Sequence, residues 1–446
     1  MRTGDETLAT AWRPDQDPAL GGTRPLALSP ATGEAKEKGS PEARVDTPHP
    51  FFRYSTEICV WRLGQPQAVA ALPVADAAVT ANRTARVLRT AASSGQVVLL
   101  GGGTGDLAVS LAASLPESTS LTVVCADPER ARQLITTGKA DFVRPDGNRQ
   151  LLVDTSAMAL FVLAVRHGLD LGTALVTVNP EGASPDEARE LAVWRRLWRD
   201  TRMVEAPLSA SPLSNRPTLA LLARPDEPDL DAFFRSVAGL AERAVVLWDA
   251  EEVPPAAQAA SVLEVPVRHL ARPLAGDFAA QRNVLLNACP EGWVLSLDPD
   301  ERPGPGFADA LGRLLALPDL GGVFFPRLTL HPDGRRVLAG YGLWPDVQLR
   351  LFRHVPGRVR YVRPVHERLE GLSGRAALAL DAPLVHGNRV LADDRAVTRK
   401  LAAYSAVPGA ARHCLSADYP GLPLDFFRSP PGLAPGGRVL LPPPMW

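Results

Sequence analysis

Residues 277–303, DFAAQRNVLLNACPEGWVLSLDPDERP, read as a helix followed by a strand that ends in acids. Phe278, Leu285, Leu286 and Cys289 recur at spacings of seven, eight and eleven, which places them on one helical face over 277–289. Trp293, Leu295 and Leu297 then alternate into a strand over 293–298, whose carboxyl end delivers Asp298, Asp300 and Glu301. In open α/β sheets ligands sit beyond the carboxyl ends of the strands. Three carboxylates at that edge, with Pro299 stiffening the turn, suit a hard divalent cation such as Mg²⁺ or Mn²⁺, which takes oxygen ligands and shares them with phosphates. A bare D-x-D-E is also a common solvated acidic turn, so the surroundings must decide between the two.

Working outward, the pattern around this stretch alternates strand and helix. Upstream come strand 218–223, helix 229–240, strand 244–249 and strand 262–267, and downstream, after another helix, strand 322–328. A separate block precedes the linker APLSASPLSNRP. It reads strand 96–100, a glycine-rich turn, helix 106–114, strand 121–126, a helix from Pro128, a helix near 156–166, strand 174–178 and helix 185–199. Leu191, Trp194, Leu197 and Trp198 give the last helix one apolar face. The expected fold class is therefore α/β, with two Rossmann-like domains at 51–206 and 215–407, each a parallel sheet flanked by helices.

The 446 residues are long enough for two or three domains. Lys and Arg (48) balance Asp and Glu (49), which argues against nucleic acid as a partner, since that normally demands a basic excess. The 43 prolines are about twice the usual share and predict loops and a loose end. Residues 1–50 lack apolar periodicity and read as disordered. The Pro-rich tail 408–446 reads as wrapping the surface through Phe426, Phe427 and Trp446, or as loose, because its prolines oppose helix and interior strand. Four scattered cysteines suggest neither a disulfide framework nor a zinc site. Without a signal-like start or a spanning apolar run, the expected location is cytoplasmic.

The turn after strand 96–100 places Gly101, Gly102, Gly103 and Gly105 before a helix amino terminus, an arrangement that admits close approach of an anionic ligand. Asp127, 22 residues beyond Gly105, ends the next strand, about where an acid would meet a ribose hydroxyl. This segment resembles the first motif of S-adenosylmethionine-dependent methyltransferases, with Leu99 and Leu100 where that family carries an acid. A tight strand–helix turn that binds nothing is the competing reading.

The second block resembles family 2 glycosyltransferases of the GT-A fold, in particular the subgroup of lipopolysaccharide-core and related cell-envelope enzymes. The matching features are Asp277-Phe278, Arg282-Asn283, Trp293 and Asp298-Pro299-Asp300-Glu301, with Ala223-Arg224 and Asp226-Glu227 in the opening strand and helix. Downstream, Pro345-Asp346, the run from Gln348 to Arg353, His366-Glu367 and His386 also match. The run WDAEEVPPAAQ departs from the family after its second strand and leaves Asp249 as the clear match. The resemblance implies a metal-dependent, inverting transferase that moves a sugar from a nucleotide-sugar donor to a glycan or lipid-linked acceptor of the cell envelope. It implies metal ligands Asp298, Asp300 and His366, and donor contacts from Glu227, Asp249, Asp277, Arg282, Asp298, Glu301 and Arg350. Asp346, then Glu367, would serve as general base, Arg353 would join Arg350 at the leaving pyrophosphate, and His386 would complete the metal shell or hold the diphosphate. Tyr341 and Trp344 would offer a stacking platform to the acceptor, although core packing is the commoner role of such residues. The basic stretch 389–400 is a candidate for peripheral contact with the inner face of the membrane, against the plainer reading of a solvated helix. The competing function is a catalytically degenerate carbohydrate-binding or assembly module; a third is a working methyltransferase fused to the transferase.

Overall fold

The computed structural model describes residues 48–60, 72, 74–179, 181–206, 216–364, 367–391, 419–428 and 437–442. The disorder expected for 1–50 falls almost wholly outside these residues, as do His366 and nearly all of the basic stretch 389–400.

The amino-terminal block opens with a helix, Pro50–Val60, followed by a second, Ala77–Ala91. Its sheet comprises β1 (Gln96–Leu100), β2 (Ser120–Cys125), β3 (Arg149–Val153) and β4 (Leu175–Val178), all parallel in the order β3-β2-β1-β4. The apolar runs of β1 to β3 are buried on both faces, as a sheet covered by helices requires. The connecting helices start where short polar side chains accept from free amides. Asp127 caps Pro128–Thr136, Ser156 caps Ala157–Arg166, and Ser184 caps Pro185–Asp200. Trp194 and Trp198 stack at 4.8 Å on the inner face of the last of these helices.

The second sheet is mixed and has eleven strands. Its parallel part contains β6 (Thr218–Ala223), β7 (Arg243–Trp248), β8 (Val267–Ala271) and β9 (Gly292–Leu297), ordered β8-β7-β6-β9. This repeats the order of the first block, so both place their first and fourth strands side by side at the topological switch point. Beyond β9, β13 (Val347–His354) runs antiparallel between β9 and β11 (Leu320–Thr329). Then come β16 (Arg375–Ala379), β19 (Arg438–Leu441) and β5 (Arg202–Glu205). β10 (Glu301–Pro303) pairs with β17 (Leu384–His386), which also lies along β11. Two small ribbons complete the described chain, β12 (Arg336–Leu338) with β18 (Gly421–Pro423), and β14 (Arg360–Val362) with β15 (Arg368–Glu370).

Two expectations are corrected, and one strand is new. The strand expected at 262–267 begins instead at Val267, because Pro255–Leu263 forms a 3-10 helix that ends at Glu264 in a left-handed conformation, φ 54°. β5, a strand that the sequence reading did not single out, joins the second sheet through β19. The tail contributes an interior strand, since Arg438–Leu441 contains no proline and lies between β16 and β5. Phe426 and Phe427 are buried, in keeping with a tail that wraps the surface.

One apolar cluster runs through both blocks, from Val98 and Leu152 to Trp344, Leu380 and Phe427. At its centre the fully buried Tyr54 donates its hydroxyl to Asp154, and it packs against Trp344 with ring centroids 6.2 Å apart. Burial raises the Asp154 carboxyl to about 6 despite the opposing hydrogen bond from Tyr54. A carboxyl raised above its unfolded value holds its proton better when folded, so its contribution is complete at low pH and is lost as pH climbs from about 4 through 6. The Asp154→Asn variant should therefore show a flatter fall in stability over pH 4 to 7, the difference reaching on the order of 3 kcal/mol. Melting curves of both proteins across that range check it, and parallel curves would show that Asp154 does not titrate there.

Candidate functional site

The carboxyl ends of β6, β7 and β9 face the same edge of the sheet. After β6, Arg224 reaches Glu227 at 3.3 Å, and Asp229 takes a left-handed conformation. After β7, the Asp249 amide donates to the Ala223 carbonyl at 2.8 Å, and its carboxylate accepts from Leu274 N at 2.7 Å. Glu227 thus stands in an open recess that Pro225, Asp229, Asp231 and Arg235 also line, while Asp249 is tied to the end of β6 through Ala223. Asp277 has a local task, capping the helix Phe278–Asn287 by accepting from Ala280 N at 2.8 Å. That cap places Arg282 under the end of β9.

From there a chain of alternating charges crosses the sheet. Arg282 donates from Nε to Glu367 at 2.6 Å and from Nη2 to Asp298 Oδ1 at 2.8 Å. Arg350, on β13, donates from Nη2 to Asp298 Oδ2 and to Glu301 Oε1, both at 2.6 Å. Arg327, on β11, donates from Nη1 to Glu301 at 3.2 Å and from Nη2 to Asp346 Oδ2 at 2.6 Å. Gln348 closes the series on Asp346 Oδ1 at 2.7 Å. Glu301 is wholly buried, whereas the Asp298 and Asp346 side chains are 25% and 28% exposed, so the series opens to solvent at those two acids. Burial pushes the Asp298 carboxyl up, and Arg350 and Arg282 more than reverse this, holding it well below the usual carboxylate range. Burial likewise opposes the charge on Arg350, and Asp298 and Glu301 overcome it.

Asp300 faces another way. Its carboxylate lies 3.3 Å from His386 Nε2, and His386 Nδ1 is 3.0 Å from the Thr329 hydroxyl. A carboxylate oxygen next to an imidazole nitrogen, with the second ring nitrogen fixed by a hydroxyl, is a donor pair that fits a divalent cation. Asp298 fits less well, because both its oxygens already accept from guanidinium groups and a cation there would sit against two positive charges. Among the described residues no group of three His, Cys, Asp or Glu side chains forms a ready metal cage.

Asp346 follows the cis peptide Trp344–Pro345 and has φ 33°, uncommon for a residue with a side chain. Trp344 is 1% exposed and packs on Phe427 at 5.2 Å, so it belongs to the core and is no sugar platform. Tyr341 turns toward the first block, where its hydroxyl donates to the Ile58 carbonyl at 3.2 Å. Arg353, expected near the leaving group, lies over the Trp293 ring at 4.8 Å and donates to the Leu320 carbonyl. Arg327 was not singled out from the sequence. Its only signal is a cation near the end of an otherwise apolar strand, yet it joins Glu301 to Asp346.

The glycine-rich turn of the first block is filled by the protein itself. A Cβ on Gly103, where φ is 57°, would fall 2.2 Å from the Asn179 side-chain nitrogen. Asp127, the candidate for a ribose contact, accepts instead from Glu129 N and Arg130 N as a helix cap.

No family model matches the chain. Among curated proteins it is similar to a lipopolysaccharide core biosynthesis glycosyltransferase, LpsC, of Rhizobium meliloti (strain 1021), at 31% identity over 145 residues. That similarity covers 30% of this chain and spans about half (51%) of the relative's length. Among solved structures, a Bacillus anthracis protein described as a glucose-1-phosphate thymidylyltransferase, in complex with sucrose, aligns over 39% of this chain and 72% of its own. Its TM-score of 0.22 and 6% identity are too slight to identify a fold.

Removing Arg350 would strand two acids that it now serves together. The Arg350→Ala variant should lose about 3–5 kcal/mol of stability, while Arg353→Ala, an exposed residue on the same strand, should lose under about 1 kcal/mol. Urea unfolding of the two variants checks this, and equal losses would show that the charge series is not the stabilising feature.

Proposed function

We propose that the second block is a glycosyltransferase of GT-A type that moves a sugar from a nucleotide-sugar donor to a cell-envelope glycan or lipid-linked acceptor, with inversion and with a divalent cation. The observation that carries this reading is the gathering of Asp249, Asp298, Asp300 and Asp346 around one sheet edge at a topological switch point, where α/β folds bind ligands. Similarity to a lipopolysaccharide core glycosyltransferase over 145 residues supports it.

In this reading Asp249 and Glu227 meet the nucleoside, in line with Glu227 lining the recess after β6 and Asp249 following β7 at the same sheet edge. Asp300 and His386 hold Mg²⁺ or Mn²⁺, with His366 as a further ligand. The cation supplies Lewis-acid neutralisation of the departing diphosphate. Arg282 keeps a buried Nη1 without a hydrogen-bond partner, and Arg350 a buried Nε, which suits both to contact with an anionic group. Asp298 and Glu301 hold these arginines in place. Asp346 accepts the proton of the acceptor hydroxyl as that oxygen attacks, while Arg327 and Gln348 fix its carboxylate. Glu367, bound to Arg282, is the second choice for the base. No helix among the described residues is long and apolar enough to cross a membrane, so a lipid-linked acceptor would be met at a surface.

The test is thermal stability against a panel of nucleoside diphosphates and nucleotide-sugars, with and without Mn²⁺, followed by transfer assays with the donor so identified. One nucleotide should raise the melting temperature in a metal-dependent way. Asp300→Ala should abolish the metal-dependent part. Asp346→Asn should keep the shift and lower the transfer rate by about 10²–10⁴-fold. Unchanged transfer in Asp346→Asn removes it as the base. No shift with any nucleotide in a folded sample favours the degenerate binding module.

A further inference from the structure

The loop that leads into Asp346 is held by the other block. Ala339–Asp346 runs through left-handed conformations at Gly340 (φ 70°), Tyr341 (φ 52°), Gly342 (φ 79°) and Asp346 (φ 33°). Two of these carry side chains, and such backbone persists only where its surroundings fix it. The fixing groups lie on the helix Pro50–Val60 and around the carboxyl ends of β2 and β3. The Gly340 amide donates to the Tyr54 hydroxyl at 3.1 Å, and that hydroxyl donates to Asp154. Gly340 rests so closely on this helix that a Cβ would fall 2.2 Å from Ile58 Cδ1. Tyr341 donates to the Ile58 carbonyl at 3.2 Å and accepts from Arg132 Nη2 at 3.1 Å. Trp344 packs on the Tyr54 ring.

The loop then passes its position on to the site. The Arg327 amide donates to the carbonyls of Pro345 (3.1 Å) and Asp346 (3.3 Å), and the Arg327 guanidinium grips the Asp346 carboxylate. A displaced loop would therefore move Asp346 and loosen Arg327 together, and through Arg327 the wholly buried Glu301. From this continuous path we infer that Tyr54 is a positioning residue for Asp346, and that the amino-terminal block serves the sheet edge of the second block by holding that loop. The catalytic consequence rests on the transferase reading above; the mechanical one does not.

The test is Tyr54→Phe, which keeps the ring in the core and removes the hydroxyl, with Tyr341→Phe as a second, more exposed change. Amide hydrogen exchange is followed at Arg327 and over 339–348, with β1 and β2 as internal reference. The Arg327 amide lies far from residue 54 in sequence and reports on Pro345 and Asp346 directly. In Tyr54→Phe its exchange and that of the loop should quicken at least tenfold, with β1 and β2 unchanged. Tyr341→Phe should act in the same direction. Where transfer is measurable, Tyr54→Phe should lower kcat by about tenfold or more and leave the donor KM within twofold. Unchanged exchange at Arg327, or an equal rise in β1 and β2, overturns the assignment. Faster loop exchange with an unchanged kcat overturns the catalytic consequence. A wild-type protein without transferase activity sinks the functional reading, and the exchange data then decide the mechanical link alone.

Discussion

Everything at the sheet edge depends on keeping three arginines charged where water is scarce. Arg282, Arg350 and Arg327 come from a helix and two antiparallel strands, and each is acceptable there only because acids stand on both sides of it. The dependence is mutual. Glu301 has no exposed surface, and without Arg350 and Arg327 its charge would have no compensation. Such a series fixes geometry more than it adds stability, because desolvation consumes most of the attraction. Its product is a set of carboxylates whose directions are settled by the fold itself, before any ligand arrives.

The glycine-rich turn and the acidic turn show how alike two carboxyl edges can look and how differently they are used. Both follow the first or fourth strand of a parallel set with the same strand order. In the first block Asn179 and its neighbours occupy the space above the glycines, and the acid that follows β2 caps a helix. In the second block the space is left to charged groups at the surface. The same topology thus supports an edge packed by side chains in one case and an edge lined by charged groups in the other, which is why fold alone does not assign function.

Much of this was legible in the sequence. The strand ending at Leu297 and the acids after it follow from alternation and a D-x-D-E run, and the helix before it follows from its apolar spacing. The strand order, and the antiparallel entry of β13 between β9 and β11, were not legible, because register depends on contacts between distant segments. The ion pairs were hidden for the same reason. Arg327 lies 26 residues from Glu301 and 19 from Asp346, and no local pattern announces that one guanidinium serves both. For Trp344 core packing was the commoner expectation and is what the structure has, although an aromatic beside a polar motif gives no local sign of the surface it faces. The tail was misjudged because its proline content masked four residues, Arg438–Leu441, that carry strand chemistry in a proline-rich setting.

That short strand has a consequence for how the protein is made. Among the described residues β5 pairs only with β19, and the segments lie more than two hundred residues apart. At roughly 5–20 residues per second, β5 leaves the ribosome on the order of ten to fifty seconds before its partner exists. Through that interval β5 has no ladder to join, and β16, once made, lacks the neighbour that shields it on that side. Exposed strand edges invite pairing with other chains. Translation of the second block is therefore the period in which β5 and the open side of β16 stand exposed to such pairing.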